Sequence, residues 1–376
     1  MASESVALDQ RGYKNVIDLK PGQAVIIGKG AAPVFLQVQE PVRYAPDIFE
    51  FVYFARPDTV IDGISVQESR ERMGYKLADT IVRRLAPEEL ADIDVVIPIP
   101  ETANTSAACV ADRLKKPCCQ GFVKNRYVFR TFIMPGQKAR EKSVRRKLNP
   151  MKVKFDGKSV LLVDDSIVRG TTSREIVNMA REAGARKVYF ASCAPRITHA
   201  HIYGIDLASP SELIAHHRDE ESIARHIGAV KVIYQTLDDL KAACAELSPR
   251  PNQEFEVGVF CGTYVTPVEP GYFEHLERVR GETKKLKVME SAREAVANGW
   301  AGEEEIKMAR NGVEVNEKGD VIAASGVNGA MAEEEVVALK ANGKRAREGD
   351  EGSTPPRDRM DISLHNFNDY SHDTRG

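Results

Sequence analysis

Three short, nearly uninterrupted apolar runs separated by helical patterns most constrain what this chain can fold into. DVVIPIP (94–100), KSVLLVDD (158–165) and KVYFASCA (187–194) each read as a strand covered on both faces. Between them, NTSAACVADRL reads as a helix. SREIVNMAREAGA (173–185) reads as another, with Ile176, Met179 and Ala180 on one face. Ahead of these, Met73, Leu77, Ile81, Val82 and Leu85 recur at helical spacing, and Pro87 stops the pattern. Further alternation runs through KVIYQTLDDLKAACAEL and FEVGVF. The order of elements predicts an α/β fold with a central, mostly parallel sheet and flanking helices.

The chain has 376 residues, long enough for two or three pieces. Residues 1–32 hold two strand-like fragments, NVIDL and QAVIIG, too short to bury a core alone. Residues 33–281 carry the periodic signal, and 282–376 keep only helical patches. The last 33 residues include 13 charged ones and Pro355-Pro356, a composition expected to stay disordered. KRAR (344–347) reads as a nuclear signal or as a solvated charge run. A formal net charge of -2 argues against a chain-wide nucleic-acid binder. No apolar stretch is long enough to span a membrane, and the start lacks a secretory pattern. The six Cys show no paired spacing, so a reduced, cytoplasmic protein is expected.

The segment VLLVDDSIVRGTTS (160–173) carries the chemistry. Four apolar residues end in Asp164 and Asp165, and a turn with Gly170, Thr171, Thr172 and Ser173 opens a helix. In an open parallel sheet, ligands sit beyond the carboxyl ends of the strands. A helix start offers free N–H groups and a positive dipole end to an anion. Two carboxylates before such a cradle suit a ligand that also carries sugar hydroxyls or a divalent cation. The Walker A and GxGxxG patterns are absent. The plain alternative is an Asx-capped turn.

That segment resembles the phosphoribosyl-diphosphate signature of the type I (purine/pyrimidine) phosphoribosyltransferase family. Wider stretches resemble the amidophosphoribosyltransferases within it: FEFVYFARPDTVIDGISV, VVIPIPETA, GFVKNRYVFRTFIMPGQ, SVRRKLNPM, YGIDLASPSELIAH and YVTPVEPGY, together spanning roughly 33–280. The resemblance implies a type I phosphoribosyltransferase fold and formation of 5-phosphoribosylamine from 5-phosphoribosyl 1-diphosphate and ammonia. That reaction is the first committed step of purine synthesis, with the ammonia drawn from glutamine. The alternative is a non-catalytic binder of phosphoribosyl diphosphate or nucleotides.

The resemblance also assigns residues. Asp164 and Asp165 would take the ribose hydroxyls and, with Thr102, a Mg²⁺ ion. Arg169, Gly170, Thr171, Thr172 and Ser173 would cradle the 5′-phosphate. Glu101 would orient metal-bound water, or else simply sit at a helix start. Lys124 to Lys152 holds ten basic residues and one acid. It reads as a solvated loop or a nucleic-acid patch with partial aromatic interleaving from Tyr127, Phe129 and Phe132. By resemblance it is a lid over the diphosphate, with catalytic Lys124 and Arg126 at its start, where inhibitory purine nucleotides also bind. Relatives usually carry Gly where this chain has Phe129.

One subclass of the family holds an iron–sulfur cluster on four Cys. Only Cys261 matches, so no cluster is expected, and Cys193 and Cys244 read as buried thiols. His216 and His217 read as structural. Residues 1–32 resemble the end of an Ntn-type glutaminase domain whose nucleophilic Cys is absent here, so the glutaminase half-reaction is not expected. A homo-oligomer is expected, without nucleic-acid or membrane partners.

Overall fold

The computed structural model describes residues 1–125, 144–205, 207, 210–279, 289, 313–315 and 321–324. The chain divides into two units, and everything below belongs to the first, Met1–Thr283 with Val315–Ile322. Its strands are β1 (Gln23–Ile26), β2 (Val34–Gln37), β3 (Val60–Ile61), β4 (Ile64–Ser65), β5 (Val95–Pro98), β6 (Phe122–Lys124), β7 (Leu148–Pro150), β8 (Ser159–Asp164), β9 (Lys187–Ser192) and β10 (Val232–Tyr234). The central sheet has the order β10-β9-β8-β5. All three pairings are parallel, with Val96 opposite Leu161 and Leu162 opposite Phe190.

Why these runs form a buried sheet follows from what covers each face. Ile97, Val160, Leu162, Val188, Phe190 and Val232 point to one side, where helices Thr171–Glu182 and Glu220–Ile227 supply Ile176, Val177, Ala180, Ile223 and Ile227. The intervening residues Val96, Leu161, Val163, Tyr189 and Ile233 point to the other. There they meet Leu77, Ile81, Ala107 and Val110 from helices Val66–Arg84 and Asn104–Leu114. The period-two alternation of a strand therefore sorts an all-apolar run onto two helical layers. A third apolar cluster, including Ile48, Phe51, Leu213, Leu240 and Phe260, joins the segments outside the sheet.

Helix Val66–Arg84 starts where Ser65 Oγ accepts the Glu68 N–H, and it packs along helix Asn104–Leu114 at Gly74. A Cβ at Gly74 would lie 2.5 Å from the Ser106 carbonyl oxygen and 2.8 Å from Cys109 Cβ. Hydrogen there lets the two backbones approach.

Two expected strands form differently. Asn15–Leu19 is irregular because no partner strand pairs with it, whereas β1 pairs antiparallel with β2 in a hairpin that crosses residue 32. FEVGVF makes a single bridge from Glu256 to Asp47 and then a short helix, Gly258–Cys261. The Glu256 carboxylate accepts the Gly258 and Val265 N–H groups at 2.5 and 3.1 Å, folding the chain back on itself. Arg126, Tyr127, Phe129 and Phe132 lie outside the described residues.

Gly74→Ala is expected to destabilise the fold although Ala is the better helix former by about 1 kcal/mol. Overpacking a tight contact costs about 1–3 kcal/mol, and the clash is with backbone, which yields least. Thermal unfolding is expected to show a midpoint about 2–8 °C lower.

Candidate active site

The carboxyl ends of β5 and β8 lie side by side, so the segments that follow them converge. After β5 the chain runs through a cis peptide between Pro100 and Glu101 to Thr102 and helix Asn104–Leu114. After β8 come Asp164 at the strand's last position, Asp165 and the turn leading to helix Thr171–Glu182. The Thr102 hydroxyl donates to one oxygen of Asp165. The Ser166 hydroxyl donates to the other oxygen at 2.8 Å, and the Asp165 N–H donates to Asp164 at 3.0 Å. Both carboxylates are 8% exposed.

Burial raises the proton affinity of both acids. Asp164 is pushed well above the usual carboxylate range by burial and by the charge of Asp165. Asp165 is pushed up by burial, while the Thr102 and Ser166 hydroxyls and the Arg70 charge pull the other way. Two adjacent carboxylates that resist ionising together are a site prepared for a cation or for hydroxyl donors.

The turn after them has the form of an anion cradle. Gly170 takes φ +74° at the N-cap of helix Thr171–Glu182, a conformation that favours glycine, and a Cβ there would collide with Ile214. No side chain caps this helix start through a hydrogen bond. A cavity of about 500 Å³ opens above it, lined by Asp164, Asp165, Ser166, Arg169, Gly170, Thr172 and Ser173. Lys124 at the end of β6 and Lys147 before β7 also reach this cavity. Its remaining wall is apolar, with Phe49, Tyr53, Phe54 and Leu207.

The residues expected from sequence fall into place unequally. Asp164, Asp165, Lys124, Arg169, Gly170, Thr172 and Ser173 line one cavity, and Thr102 joins it through Asp165. Thr171 is half-buried and is not part of the lining. Arg169 is held by Glu212 at 3.0 Å, and Lys124 by Glu101 at 3.0 Å. The Lys124 pairing gives Glu101 a side-chain partner on the opposite loop. Arg126 lies outside the described residues.

Sequence reasoning passed over Ser166, Lys147, Arg145 and Arg70. Arg145 bridges Glu175 at 3.0 Å and Glu182 at 2.8 Å, tying the segment before β7 to the helix that forms the cradle. Arg70 had a visible signal: it extends the apolar stripe of Met73, Leu77 and Ile81 by one step, where a charge is unexpected.

Among the described residues no three His, Cys, Asp or Glu side chains converge as a metal cage. Mg²⁺ needs no such cage, because it keeps several waters and takes oxygens from a bound diphosphate. Two buried carboxylates beside an anion cradle fit that demand. Cys193 and Cys244 are buried thiols, both pushed up to about 12 by burial. His216 Nδ1 donates to the Thr198 carbonyl at 3.0 Å, a structural contact.

Asp164→Asn is expected to raise stability at neutral pH while removing a ligand-binding group. An acid whose folded pKa is raised favours folding only when protonated, and that favour is lost as pH rises through the folded value. The variant should therefore unfold at a higher temperature than the parent at pH 7–8, by about 2–4 °C for each kcal/mol relieved. The gap should close below about pH 3, where the parent carboxyl is protonated in both states. Paired thermal scans across that range check both parts.

No protein-family model matches the chain. Curated relatives do. The amidophosphoribosyltransferase of Saccharomyces cerevisiae is 57% identical over 283 residues, covering 74% of this chain and 54% of that protein. The Escherichia coli protein of the same name is 52% identical over 286 residues, covering 76% and 56%. A solved glutamine phosphoribosylpyrophosphate amidotransferase from B. subtilis, complexed with ADP and GMP, superposes with a TM-score of 0.61 at 36% identity. That match covers 71% of this chain and 57% of the solved one. The chain thus spans just over half the length of the relatives it matches. The relatedness and the convergent carboxylates and anion turn lead to one conclusion: over the stretch they share, this chain is a homologue of the amidophosphoribosyltransferases.

Proposed function

We propose that the chain transfers a phosphoribosyl group to ammonia, forming 5-phosphoribosylamine from 5-phosphoribosyl 1-diphosphate as the committed step of purine synthesis. One observation carries this reading. Asp164, Asp165 and the Gly170–Ser173 turn share a cavity of about 500 Å³ with Lys124 and Lys147. A sugar bearing phosphates at both ends demands that combination of acceptors for hydroxyls, N–H donors for one phosphate and cations for the other.

In the reaction the C1–O bond breaks and its electron pair leaves with the diphosphate. The ammonia lone pair forms the C1–N bond, and the added nitrogen gives up a proton to solvent. The sugar is electron-poor in between, so the protein's task is positioning and charge placement. Asp164 and Asp165 accept from the ribose 2′- and 3′-hydroxyls, and with Thr102 they would hold Mg²⁺. Mg²⁺, when bound, supplies positive charge to the departing diphosphate oxygens. The turn from Arg169 to Ser173 fixes the 5′-phosphate through N–H and hydroxyl donors. Lys124 and Lys147 face the same cavity and offset charge on the leaving group.

Inhibition by purine nucleotides belongs to this reading, supported by the solved relative complexed with ADP and GMP. Self-association and a cytoplasmic setting belong to it as well, whereas use of glutamine as the nitrogen source does not. No helix among the described residues is long and apolar enough to cross a membrane.

Diphosphate release from Mg²⁺-phosphoribosyl diphosphate with ammonia as nitrogen donor tests the proposal. The parent is expected to turn over, faster as pH rises from 7 to 9 and NH₃ replaces ammonium. Asp165→Asn is expected to lose at least about 100-fold, the scale of one misplaced electrostatic group. Activity within a few-fold of the parent would remove Asp165 from the site. Tight binding without release would favour a non-catalytic binder.

A further inference from the structure

Arg70 is 4% exposed in the second turn of helix Val66–Arg84. Among the described residues no carboxylate lies within 4 Å of its guanidinium. Instead Nε donates to the Phe51 carbonyl at 2.9 Å and a terminal nitrogen donates to the Ala55 carbonyl at 2.8 Å. Burying a cation without a close counter-charge is costly, and an apolar side chain at that step of the stripe would pack at less expense. The longer-range attraction to Asp165 would be met by any cation, so it does not account for the guanidinium fork. Its two directed bonds do something an apolar residue cannot.

Those bonds grip both ends of one turn. Glu50–Phe54 is a wide, π-type turn in which the Ala55 N–H donates to the Glu50 carbonyl at 3.0 Å. Between the two gripped carbonyls lie Tyr53 and Phe54, whose rings stack edge-on at 5.1 Å and form part of the apolar wall of the cavity. They are 41% and 43% exposed, so neighbouring packing alone does not fix them. The backbone of Arg70 reaches the other side of the site. Its carbonyl accepts the Ser106 hydroxyl at 2.8 Å, and Ser106 lies in the first turn of the helix that begins just after Thr102.

We propose that Arg70 is a positioning residue that holds the Tyr53–Phe54 wall over the cavity and so keeps water from the electron-poor sugar. The inference rests on the transferase reading above and adds a consequence to it. If water takes the place of ammonia, its oxygen forms the new bond to C1, the C1–O bond to diphosphate breaks, and a proton is released. The products are ribose 5-phosphate and diphosphate. A wall that is loose admits this reaction, while a wall held by Arg70 suppresses it.

Arg70→Lys keeps the buried charge but replaces the two-pronged fork with a single ammonium. Three measurements on the full chain read the result. Hydrogen exchange at amides 50–56 should quicken by about 10-fold, the scale of one lost internal bond, with amides 159–182 unchanged. Affinity for Mg²⁺-phosphoribosyl diphosphate, by calorimetry, should stay within about 3-fold, because the fork does not hold the phosphate turn. Ammonia-supported turnover should fall by about 10-fold or more, and the ammonia-independent share of diphosphate release should rise, since small misplacements at a reacting centre cost that much.

Unchanged exchange at 50–56, or an unchanged share of hydrolysis with normal turnover, would overturn the proposal. So would a loss of affinity matching the loss of turnover. Should Arg70→Lys fail to fold, Phe54→Ala removes the wall itself and is expected to raise the hydrolytic share; no rise would overturn the role given to the wall. Absence of any diphosphate release by the parent would instead count against the transferase reading, and the exchange measurement would still decide whether Arg70 holds the turn.

Discussion

Two carboxylates buried side by side at the end of a sheet strand are the constraint around which the rest of this molecule is arranged. Desolvation disfavours their charges, and proximity disfavours them further. The protein answers Asp165 with hydroxyls from Thr102 and Ser166 and with the field of Arg70. Asp164 receives a single backbone N–H. The imbalance leaves Asp164 the less satisfied of the two, as expected where a ligand completes the set. The fold supplies the placement: β8 is buried along its whole length, so its last residue cannot shift without moving β5 and β9.

The walls of the cavity come from separate parts of the chain, and each is held by a different contact. The anion turn is positioned by Gly170 against Ile214 and by the Ile214 N–H donating to the Val168 carbonyl at 2.9 Å. The segment before β7, which brings Val144, Lys147 and Leu148 to the cavity, is clasped to helix Thr171–Glu182 through Arg145. The aromatic wall hangs from Arg70. Phosphate turn, cationic side and apolar side are thus mechanically distinct, and single substitutions should perturb them one at a time.

Much of this was legible in the sequence, for identifiable reasons. A strand buried on both faces must be apolar at every position, so VVIP and VLLV announced β5 and β8 without periodicity analysis. Asp164 and Asp165 stood out because two adjacent acids directly after such a run, with RGTTS behind them, exceed what an Asx-capped turn requires. Thr171 was grouped with its neighbours because adjacent hydroxyls look alike in sequence; of the three, Thr172 and Ser173 line the cavity. FEVGVF misled because its pattern resembles a strand, whereas the Glu256 carboxylate bonds local N–H groups and competes with sheet pairing. Arg70 showed as a charge in an apolar stripe, but its role did not show. Its partners are carbonyls 15 and 19 residues away, and carbonyls have no sequence signature.

The central claim is that the carboxylate pair and the turn after it form one binding site for a doubly phosphorylated sugar. Amide hydrogen exchange with and without Mg²⁺-phosphoribosyl diphosphate tests it most directly, because it reports where the ligand sits independently of turnover. The account predicts protection concentrated in residues 164–173 and 99–104, dependent on Mg²⁺ and lost in Asp165→Asn. Protection elsewhere in the chain with none at the turn, or equal protection in the variant, would contradict it.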